Sequence, residues 1–232
     1  MPSLAVILPA AGASARFGSD KLGETLGGRP VLARTIDAFA GRDDVAQIIL
    51  ATSDAGRPRA EAIIADARSR FPRMTFTIVD GGATRAHTVL NAARSVDASV
   101  EWLAIHDAAR PLVSPELIAR TFAAARAQGA AAPAMPVALT IKQATGPLPA
   151  TVERTVPRAN LWAMQTPQVM RRADLLDAYA RCPLPLDQVT DDVQLLELAG
   201  VPVTLVPGEE RNLKLTTRLD LALAELLLAA TP

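Results

Sequence analysis

The sequence predicts an α/β fold built on a mostly parallel β-sheet with helices on both faces. Two short runs, Leu4–Leu8 and Ile48–Ala51, are almost entirely Ile, Val, Leu and Ala, as expected for strands that are covered on both faces. Patterns typical of amphipathic helices alternate with such runs, and this alternation favours strand–helix–strand units. No linker, repeat or low-complexity tract interrupts the chain, so we expect one domain over residues 1–232.

The alternation predicts six strands and seven helices. The predicted strands are Leu4–Leu8, Ile48–Ala51, Thr75–Val79, Trp102–His106, Ala131–Pro136 and Val203–Val206. The predicted helices lie at residues 31–40, 58–70, 84–95, 115–128, 172–181, 191–199 and 217–229.

Capping residues mark the ends of two of these helices. Ser114 precedes Pro115 and Gly129 follows the last turn, which is the usual start and stop chemistry of a helix. Thr217 and Asp220 form a capping-box-like pair, with Asp in the place of the usual Glu or Gln. In this last helix, one face carries Leu219, Ala222, Leu223, Leu226 and Leu227, which predicts that this face is the packed one.

One segment, residues 137–156, breaks the alternation. It contains two β-rich pieces around a Gly-Pro pair, and the alternation of Val152, Arg154 and Val156 favours an extended hairpin. Its apolar residues have no obvious partner in the main sheet. We therefore expect a protruding arm that packs on another subunit; a hairpin folded back on its own domain is the alternative.

Bulk composition excludes some classes of protein. Half of the 232 residues are apolar, and 24 basic residues balance 24 acidic ones, whereas general nucleic-acid and membrane-surface binders usually carry a basic excess. No apolar run reaches the roughly 18 residues of a membrane span, and no basic stretch precedes the first strand, which disfavours a signal peptide. The single Cys182 cannot form an internal disulfide. We expect a cytoplasmic protein.

The segment from Leu4 to Lys21 predicts a site for a polyphosphate. A buried strand leads into small residues around Gly12, followed by Arg16 and then Lys21. Backbone N–H groups of such a loop can approach an anion, and the two cations add positive charge. Neither the Walker spacing nor the G-x-G-x-x-G fingerprint is present, so a Rossmann dehydrogenase is disfavoured.

Four motifs carry a resemblance to a known family. They are Pro9–Arg16 with the following Lys21, then His106–Pro111 (HDAARP), Thr166–Gln168 (TPQ) and Asn212–Thr216 (NLKLT). The first resembles the loop of the nucleotide-sugar pyrophosphorylase type of nucleotidyltransferase. Their order and spacing resemble the 2-C-methyl-D-erythritol 4-phosphate cytidylyltransferase family of the non-mevalonate isoprenoid pathway, over nearly the whole chain.

This resemblance implies a function. Members of the family transfer CMP from CTP to 2-C-methyl-D-erythritol 4-phosphate, which gives 4-diphosphocytidyl-2-C-methyl-D-erythritol and pyrophosphate, with Mg²⁺ as cofactor. It also implies a Rossmann-like nucleotidyltransferase sheet and a homodimer formed through the arm. Such a reaction needs cations and positioning more than a proton shuttle, and the sequence shows no Ser-His-Asp set, Cys-His pair or zinc cluster.

Matching the motifs residue by residue implies roles for individual positions. The implied catalytic cations are Arg16, Lys21 and Lys214. The implied CTP-binding residues are Ala10, Ala11, Gly12, Gly82, Arg85 and Thr88. The implied acceptor-binding residues are Asp107, Arg110, Thr140, Arg158, Thr166 and Thr190, with Asp107 also the implied metal ligand.

Several residues keep a second interpretation. Arg85 could be part of a structural ion pair, and Thr190–Asp192 also has the pattern of a helix N-cap. His106 is expected to be a buried, hydrogen-bonded residue and not a base. Lys214 is expected on a strand-like run. Thr140 and Arg158 flank the arm, so a neighbouring subunit's site is a possible location for them.

Alternative functions stay open at the level of sequence. Ribitol phosphate cytidylyltransferases share the first loop and an HDAARP-like element, so the acceptor is uncertain. A nucleotide-binding regulator without turnover is a third interpretation, which the presence of Arg16, Lys21, Asp107 and Lys214 disfavours.

Overall fold

A computed structural model describes residues 4–12 and 17–230. Its strands are β1 (Leu4–Ala10), β2 (Thr25–Leu26), β3 (Arg29–Pro30), β4 (Val45–Thr52), β5 (Thr75–Asp80), β6 (Trp102–Ile105), β7 (Ala130–Pro136), β8 (Ile141–Ala144), β9 (Val152–Val156), β10 (Trp162–Met164), β11 (Gln168–Arg171) and β12 (Thr204–Pro207). Its helices are α1 (Val31–Ala40), α2 (Arg57–Arg70), α3 (Arg85–Ser95), α4 (Pro115–Gln128), α5 (Arg172–Arg181), α6 (Asp192–Leu198) and α7 (Arg218–Ala229).

The main sheet follows the order β10-β7-β11-β6-β1-β4-β5, with β12 beside β7. Strands β5, β4, β1 and β6 are mutually parallel, and β12 runs parallel to β7. Strand β11 is antiparallel to both β6 and β7. The predicted mostly parallel sheet is confirmed, and the carboxyl ends of β1, β4, β5 and β6 therefore meet at one edge.

Alternate side chains of the parallel strands enter two separate cores. In β1, Leu4, Val6 and Leu8 belong to a core that includes residues of α1, α2 and α4, whereas Ala5 and Ile7 belong to a core with α3 and α5. All five side chains are fully buried, and each of the larger ones contributes about 1.5–3 kcal/mol on burial. Burial on both faces explains why these strands have continuous apolar sequences.

Apart from the strand-like run expected at Lys214, every predicted helix and strand has a counterpart in the structure, and the predicted caps are present. The Ser114 hydroxyl accepts the Leu117 N–H at the start of α4, and Gly129 ends that helix with a φ of 98°, a conformation that favours glycine. Thr217 and Asp220 form a complete capping box at the start of α7.

The strands β10 and β11 were not predicted from the sequence. Both pair with β7, but Met164 lies opposite Ala134 while Val169 lies opposite Ala131, so the segment between them bulges out of the ladder. Two short strands separated by a bulge show little periodicity. The bulge carries Gln165 and Thr166 to the edge where the parallel strands end.

The expected strand-like run at Lys214 is wrong. Residues 213–216 form no strand; their attachment to the neighbouring segment is a bond from the Leu215 N–H to the Ala109 carbonyl, 2.8 Å long. This single backbone hydrogen bond attaches the loop, but a β-strand requires a series of such bonds to a neighbouring strand.

The packed face of α7 also differs from expectation. Leu219, Leu223 and Leu226 are 76%, 46% and 70% exposed, whereas Ala224 is fully buried. The helix docks through the side that carries Ala224, where Leu221 and Leu228 also pack against the core. The β2–β3 turn contacts α7 as well, since the Gly27 N–H donates to Glu225 Oε1 at 2.9 Å. Leucines lie on both faces of α7, so periodicity could not choose between them.

The segment 137–156 forms the predicted hairpin. Strands β8 and β9 pair antiparallel in a sheet of their own, and the Val137 N–H donates to the Leu161 carbonyl where the arm leaves the main sheet. Leu139 and Leu148 are 77% and 88% exposed. The hairpin does not bury these side chains against its own domain, in contrast to the alternative interpretation.

Within residues 4–12 and 17–230, no helix is both long and apolar enough to span a bilayer.

Candidate active site

Two cavities lie side by side at the carboxyl edge of the parallel strands, where α/β proteins place their ligands. The larger, about 440 Å³, is lined by Pro9 to Gly12, Lys21, Leu22, Gly82 to Arg85, Thr88, Asp107 to Ala109 and Lys214. The smaller, about 310 Å³, is lined by Arg85, Asp107, Arg110, Met164 to Thr166, Gln168, Thr190, Asp191 and Lys214. Arg85, Asp107 and Lys214 line both cavities and therefore mark their junction.

The loop after β1 contributes one wall of the larger cavity. Ala10, Ala11 and Gly12, which are predicted to bind CTP, line it, and so does Lys21. The carboxylate of Asp20, next to Lys21, forms an ion pair with Arg59, so it is engaged by α2. Arg16, predicted as a catalytic cation, lies outside the described residues.

The Gly81-Gly82 turn after β5 packs against this loop, and Gly82 lines the same cavity. A Cβ atom at Gly82 would lie 2.4 Å from the Cβ of His87, and one at Gly81 would lie 2.4 Å from the Cβ of Ala11, so the close packing of these segments requires glycine at both positions. The Thr88 hydroxyl accepts the Gly82 N–H at 3.0 Å and donates to the Thr84 carbonyl at 2.9 Å. Thr88 therefore fixes the turn whose backbone faces the cavity.

Asp107 is the electrostatic centre of the junction. Its Oδ2 lies 3.0 Å from Lys214 Nζ and 3.4 Å from Arg110 Nε, and its Oδ1 lies 3.7 Å from Arg85 Nε. Burial by itself raises the pKa of Asp107, but Lys214, Arg85 and Arg110 outweigh that effect and hold the pKa below its usual range. One carboxylate thus keeps three cations together.

Arg85 has a second carboxylate partner. Its Nη2 lies 2.7 Å from Oδ2 of Asp192, whose side chain is almost completely buried. Burial lowers the pKa of Arg85, but the charges of Asp192 and Asp107 outweigh this and the net pKa is raised. Arg85 is therefore part of a structural ion pair, the second of its two predicted interpretations, and it also lines both cavities.

His106 is buried and hydrogen-bonded, as expected. Its Nε2 lies 3.2 Å from the Arg110 carbonyl and its Nδ1 lies 3.0 Å from the Thr166 hydroxyl. Burial lowers its pKa to about 4, so the ring is neutral near pH 7. A carbonyl only accepts, so Nε2 carries the proton, Nδ1 accepts from Thr166, and the Thr166 oxygen is left to accept the Asp107 N–H at 3.1 Å.

The predicted acceptor-binding residues fall into two groups. Asp107, Arg110, Thr166 and Thr190 line the smaller cavity. Thr140 and Arg158 are exposed at the two ends of the arm and line neither cavity of this chain. Their predicted role in a neighbouring subunit's site stays a prediction.

The N-terminus of α6 is held by Asp191 and by Gln168, a residue to which the sequence assigned no individual role. Asp191 is the N-cap and accepts the Gln194 N–H at 2.9 Å, which confirms the N-cap interpretation of Thr190–Asp192. Gln168 donates to Asp191 at 2.8 Å and accepts the Asp192 N–H at 3.0 Å. Gln168 stood in the quoted TPQ motif, but its partner lies 23 positions away and no local pattern reveals that pairing.

The fold and the site together define a class of protein. A parallel α/β sheet with a small-residue loop, a glycine turn and a cation cluster at its carboxyl edge is typical of enzymes that bind nucleotides.

Comparisons with known proteins give the family. The model of the 2-C-methyl-D-erythritol 4-phosphate cytidylyltransferase family matches residues 4–230. A protein of that name from Geobacillus kaustophilus is 38% identical over 226 residues, 97% of this chain and 96% of that protein. The crystal structure of the enzyme of the same name from Thermus thermophilus is 34% identical, with a TM-score of 0.77 over 97% of this chain and 98% of that chain. The chain therefore belongs to the 2-C-methyl-D-erythritol 4-phosphate cytidylyltransferase family, a family of nucleotidyltransferases.

Some relatives are longer. A bifunctional enzyme IspD/IspF from Desulfotalea psychrophila is 38% identical over 227 residues, and the chain spans only 56% of its length.

The neutral His106 makes folding stability depend on pH. Its pKa of about 4 lies below the ordinary value of 6.5, so between these values the unfolded chain binds more protons and the free energy of unfolding falls as the pH falls. We expect this one group to account for a loss of roughly 2–3 kcal/mol between pH 7 and pH 4.5. Urea denaturation of wild type and His106→Asn at both pH values measures this difference, because Asn does not titrate.

Asn91→Ala, a substitution at an exposed position of α3, is the control. It removes no titratable group and should keep the wild-type dependence on pH. A His106→Asn variant that loses as much stability as wild type between the two pH values contradicts the assignment.

Proposed function

We propose that the chain transfers CMP from CTP to 2-C-methyl-D-erythritol 4-phosphate and releases pyrophosphate. The observation that carries this proposal is the pair of adjoining cavities that share Asp107 and Lys214. A transfer between two phosphorylated molecules needs two sites that meet at a cationic junction. The family match favours methylerythritol phosphate over ribitol phosphate as the acceptor.

The chemistry requires positive charge and alignment. An oxygen of the acceptor's phosphate monoester attacks the α-phosphorus of CTP, and the bond to the β-phosphate oxygen breaks with its electron pair leaving on pyrophosphate. The monoester is largely a dianion at neutral pH, so no general base is needed. His106 is not available as one, because both of its ring nitrogens are engaged.

In this proposal the larger cavity receives CTP. The backbone at Gly82, held by Thr88, faces the cytosine base, and the loop Ala10–Gly12 with Lys21 faces the triphosphate. The support is that these groups line one cavity and that backbone N–H groups in small-residue loops bind phosphates. Arg16 is assigned to the same triphosphate from its sequence motif.

The smaller cavity receives the polyol phosphate. Arg110 offers a guanidinium for the phosphate, and Thr166 and Thr190 offer hydroxyl groups for the polyol. Lys214 lies at the junction with its side chain 42% exposed, so it can turn from Asp107 towards oxygens that gain negative charge in the transition state.

A divalent cation fits this site when phosphate oxygens of the substrate supply most of its ligands. Both oxygens of Asp107 already contact cations, and among residues 4–12 and 17–230 no group of three or more His, Cys, Asp or Glu could hold a metal. Mg²⁺ is commonly bound by one carboxylate together with substrate phosphates, so Asp107 is the protein ligand in our proposal. When bound, the ion would neutralise charge on the triphosphate.

We further propose a homodimer formed through residues 137–156 and a cytoplasmic location. The dimer is supported by the exposed Leu139, Leu148 and Val152 of the arm, since several large apolar side chains exposed on one protruding hairpin favour an interface. The location is supported by the single free Cys182 and by the nature of the substrate CTP.

Removing the cation at the junction tests the mechanism. We expect Lys214→Ala to lower the rate of pyrophosphate release by about 100- to 1,000-fold, because it removes a group aimed at developing charge. We expect the midpoint of thermal unfolding to change by less than about 3 °C, because the side chain is partly exposed. Arg73→Ala, a charge removal at an exposed position in the α2–β5 loop, is the control and should change neither quantity. Unchanged turnover in Lys214→Ala, or equal losses of rate and stability, contradicts the role.

The acceptor is tested with two substrates side by side. Pyrophosphate release from CTP is measured with methylerythritol phosphate and with ribitol 5-phosphate, each with Mg²⁺ and with excess EDTA. We expect kcat/KM to be at least about 100-fold higher for methylerythritol phosphate, since a site built for one set of hydroxyls leaves groups unpaired with the other. EDTA should abolish release. A preference for ribitol phosphate would make the alternative acceptor correct.

Mixing two inactive variants tests the shared site. If Arg158 serves the neighbouring subunit, a heterodimer of one Lys214→Ala chain and one Arg158→Ala chain contains one intact site, and activity returns on mixing. If Arg158 serves its own chain, both sites of the heterodimer are damaged and activity stays low.

Replacing residues 138–160 by a short Gly-Ser linker should give a monomer by light scattering, and a persistent dimer would refute the arm interface.

A further inference from the structure

We propose that Asn212 is a positioning residue that sets the geometry of the acceptor cavity, an inference that rests on the proposed function. Asn212 lines neither of the two cavities, and its side chain is completely buried. It nevertheless joins the three segments that carry Arg110, Thr166 and Lys214.

The side-chain amide of Asn212 binds the bulge between β10 and β11. Its Nδ2 donates to the Thr166 carbonyl at 2.9 Å and to Gln165 Oε1 at 3.2 Å. Both partners are oxygens that only accept, so the amide has one possible orientation, with its NH₂ group towards them. The bond to the carbonyl fixes the backbone position of Thr166, whose hydroxyl is already fixed by His106, and the other bond holds the side chain of Gln165.

The main chain of Asn212 holds the guanidinium. Its carbonyl accepts Arg110 Nη1 at 2.6 Å, while Arg110 Nε faces Asp107. Arg110 is thus held at two points, one in its own segment and one in the loop of residues 208–216. A shift of that loop displaces the phosphate-binding group of the acceptor cavity.

Lys214 is held between two anchors of the same loop. Asn212 lies two residues before it, and the Leu215 N–H bond to Ala109 lies directly after it. Because the loop contains no strand ladder, these attachments and not regular structure determine where the Lys214 backbone lies.

Gln165 completes the connection from the other side. Its Nε2 donates to the Glu209 carbonyl at 2.8 Å, and its Oε1 accepts the Glu209 N–H at 3.1 Å. A Cβ atom at Gly208 would lie 2.8 Å from that same Oε1 and 3.0 Å from the Ala134 carbonyl, so glycine at 208 is required for the approach. The Gln165–Asn212 amide pair therefore joins the bulge to the loop without adding any charge.

The isosteric variant Asn212→Asp tests this role. It replaces an NH₂ group by an oxygen that faces two acceptor oxygens, so the bonds to Gln165 and Thr166 are lost with little change of volume. We expect KM for methylerythritol phosphate to rise by about tenfold or more, while Kd for CTP changes by less than about twofold, because a buried bond is lost on the acceptor side only. Steady-state kinetics give the first quantity and titration calorimetry with CTP the second.

Asn91→Asp is the matched control. Asn91 also donates from Nδ2 to two carbonyls, those of Asp80 and Gly81, at 3.3 and 3.5 Å, but it lies on the exposed surface of α3. Its KM for methylerythritol phosphate should equal that of wild type.

A second variant keeps the proposal testable if Asn212→Asp does not fold. Gln165→Leu removes the partner amide from the other side, and it should give the same selective rise in KM for the acceptor. The inference is overturned if KM for the acceptor is unchanged, if CTP binding weakens as much as acceptor binding, or if neither variant folds. A wild-type protein that does not turn over methylerythritol phosphate at all would instead overturn the proposed function.

Discussion

The attraction between Asp107 and the cations around it is the interaction on which the rest of the site depends. Two like charges about 4 Å apart repel by about 4 kcal/mol at the effective dielectric constant typical of a protein surface. Arg85, Arg110 and Lys214 therefore need a carboxylate between them to stay close together. Asp107 contacts all three, and Asp192 adds a buried partner for Arg85. The junction is therefore cationic towards a ligand and yet stable without one, which suits a site that receives two polyanions in turn.

Neutral buried groups hold this charged cluster in place. The imidazole of His106 and the amides of Asn212, Gln165 and Gln168 bind backbone atoms of the segments that bear the charged residues. A neutral donor or acceptor costs far less to bury than an ion, so these side chains can join the segments from inside the core. Such preorganisation matters most where catalysis depends on placement and not on proton transfer.

The sequence predicted those parts of the molecule whose determinants are local. The continuous apolar strands, the Ser114 and Thr217 caps and the hairpin at 137–156 were all predicted, because each depends on residues that are neighbours in the chain. The motif positions converge for a similar reason: residues that follow parallel strands end at one edge, so Gly12, Gly82 and Asp107 line a common cavity. The β10–β11 bulge, the packed face of α7 and the loop at Lys214 were not predicted correctly, because each depends on contacts with distant segments.

The amino-acid sequence by itself determined the fold class, the edge at which the site lies and the types of residue that line it, since hydrophobic period, turn chemistry and motif order are properties of short stretches of chain. Only the tertiary structure decided that Arg85 is shared between Asp107 and Asp192, that His106 is neutral with its proton on Nε2, and that Asn212 supports the acceptor cavity. Those outcomes depend on burial and on contacts such as Asn212–Thr166 and Arg85–Asp192, which join residues 46 and 107 positions apart, and the strength and direction of such bonds are defined only when the chain has packed.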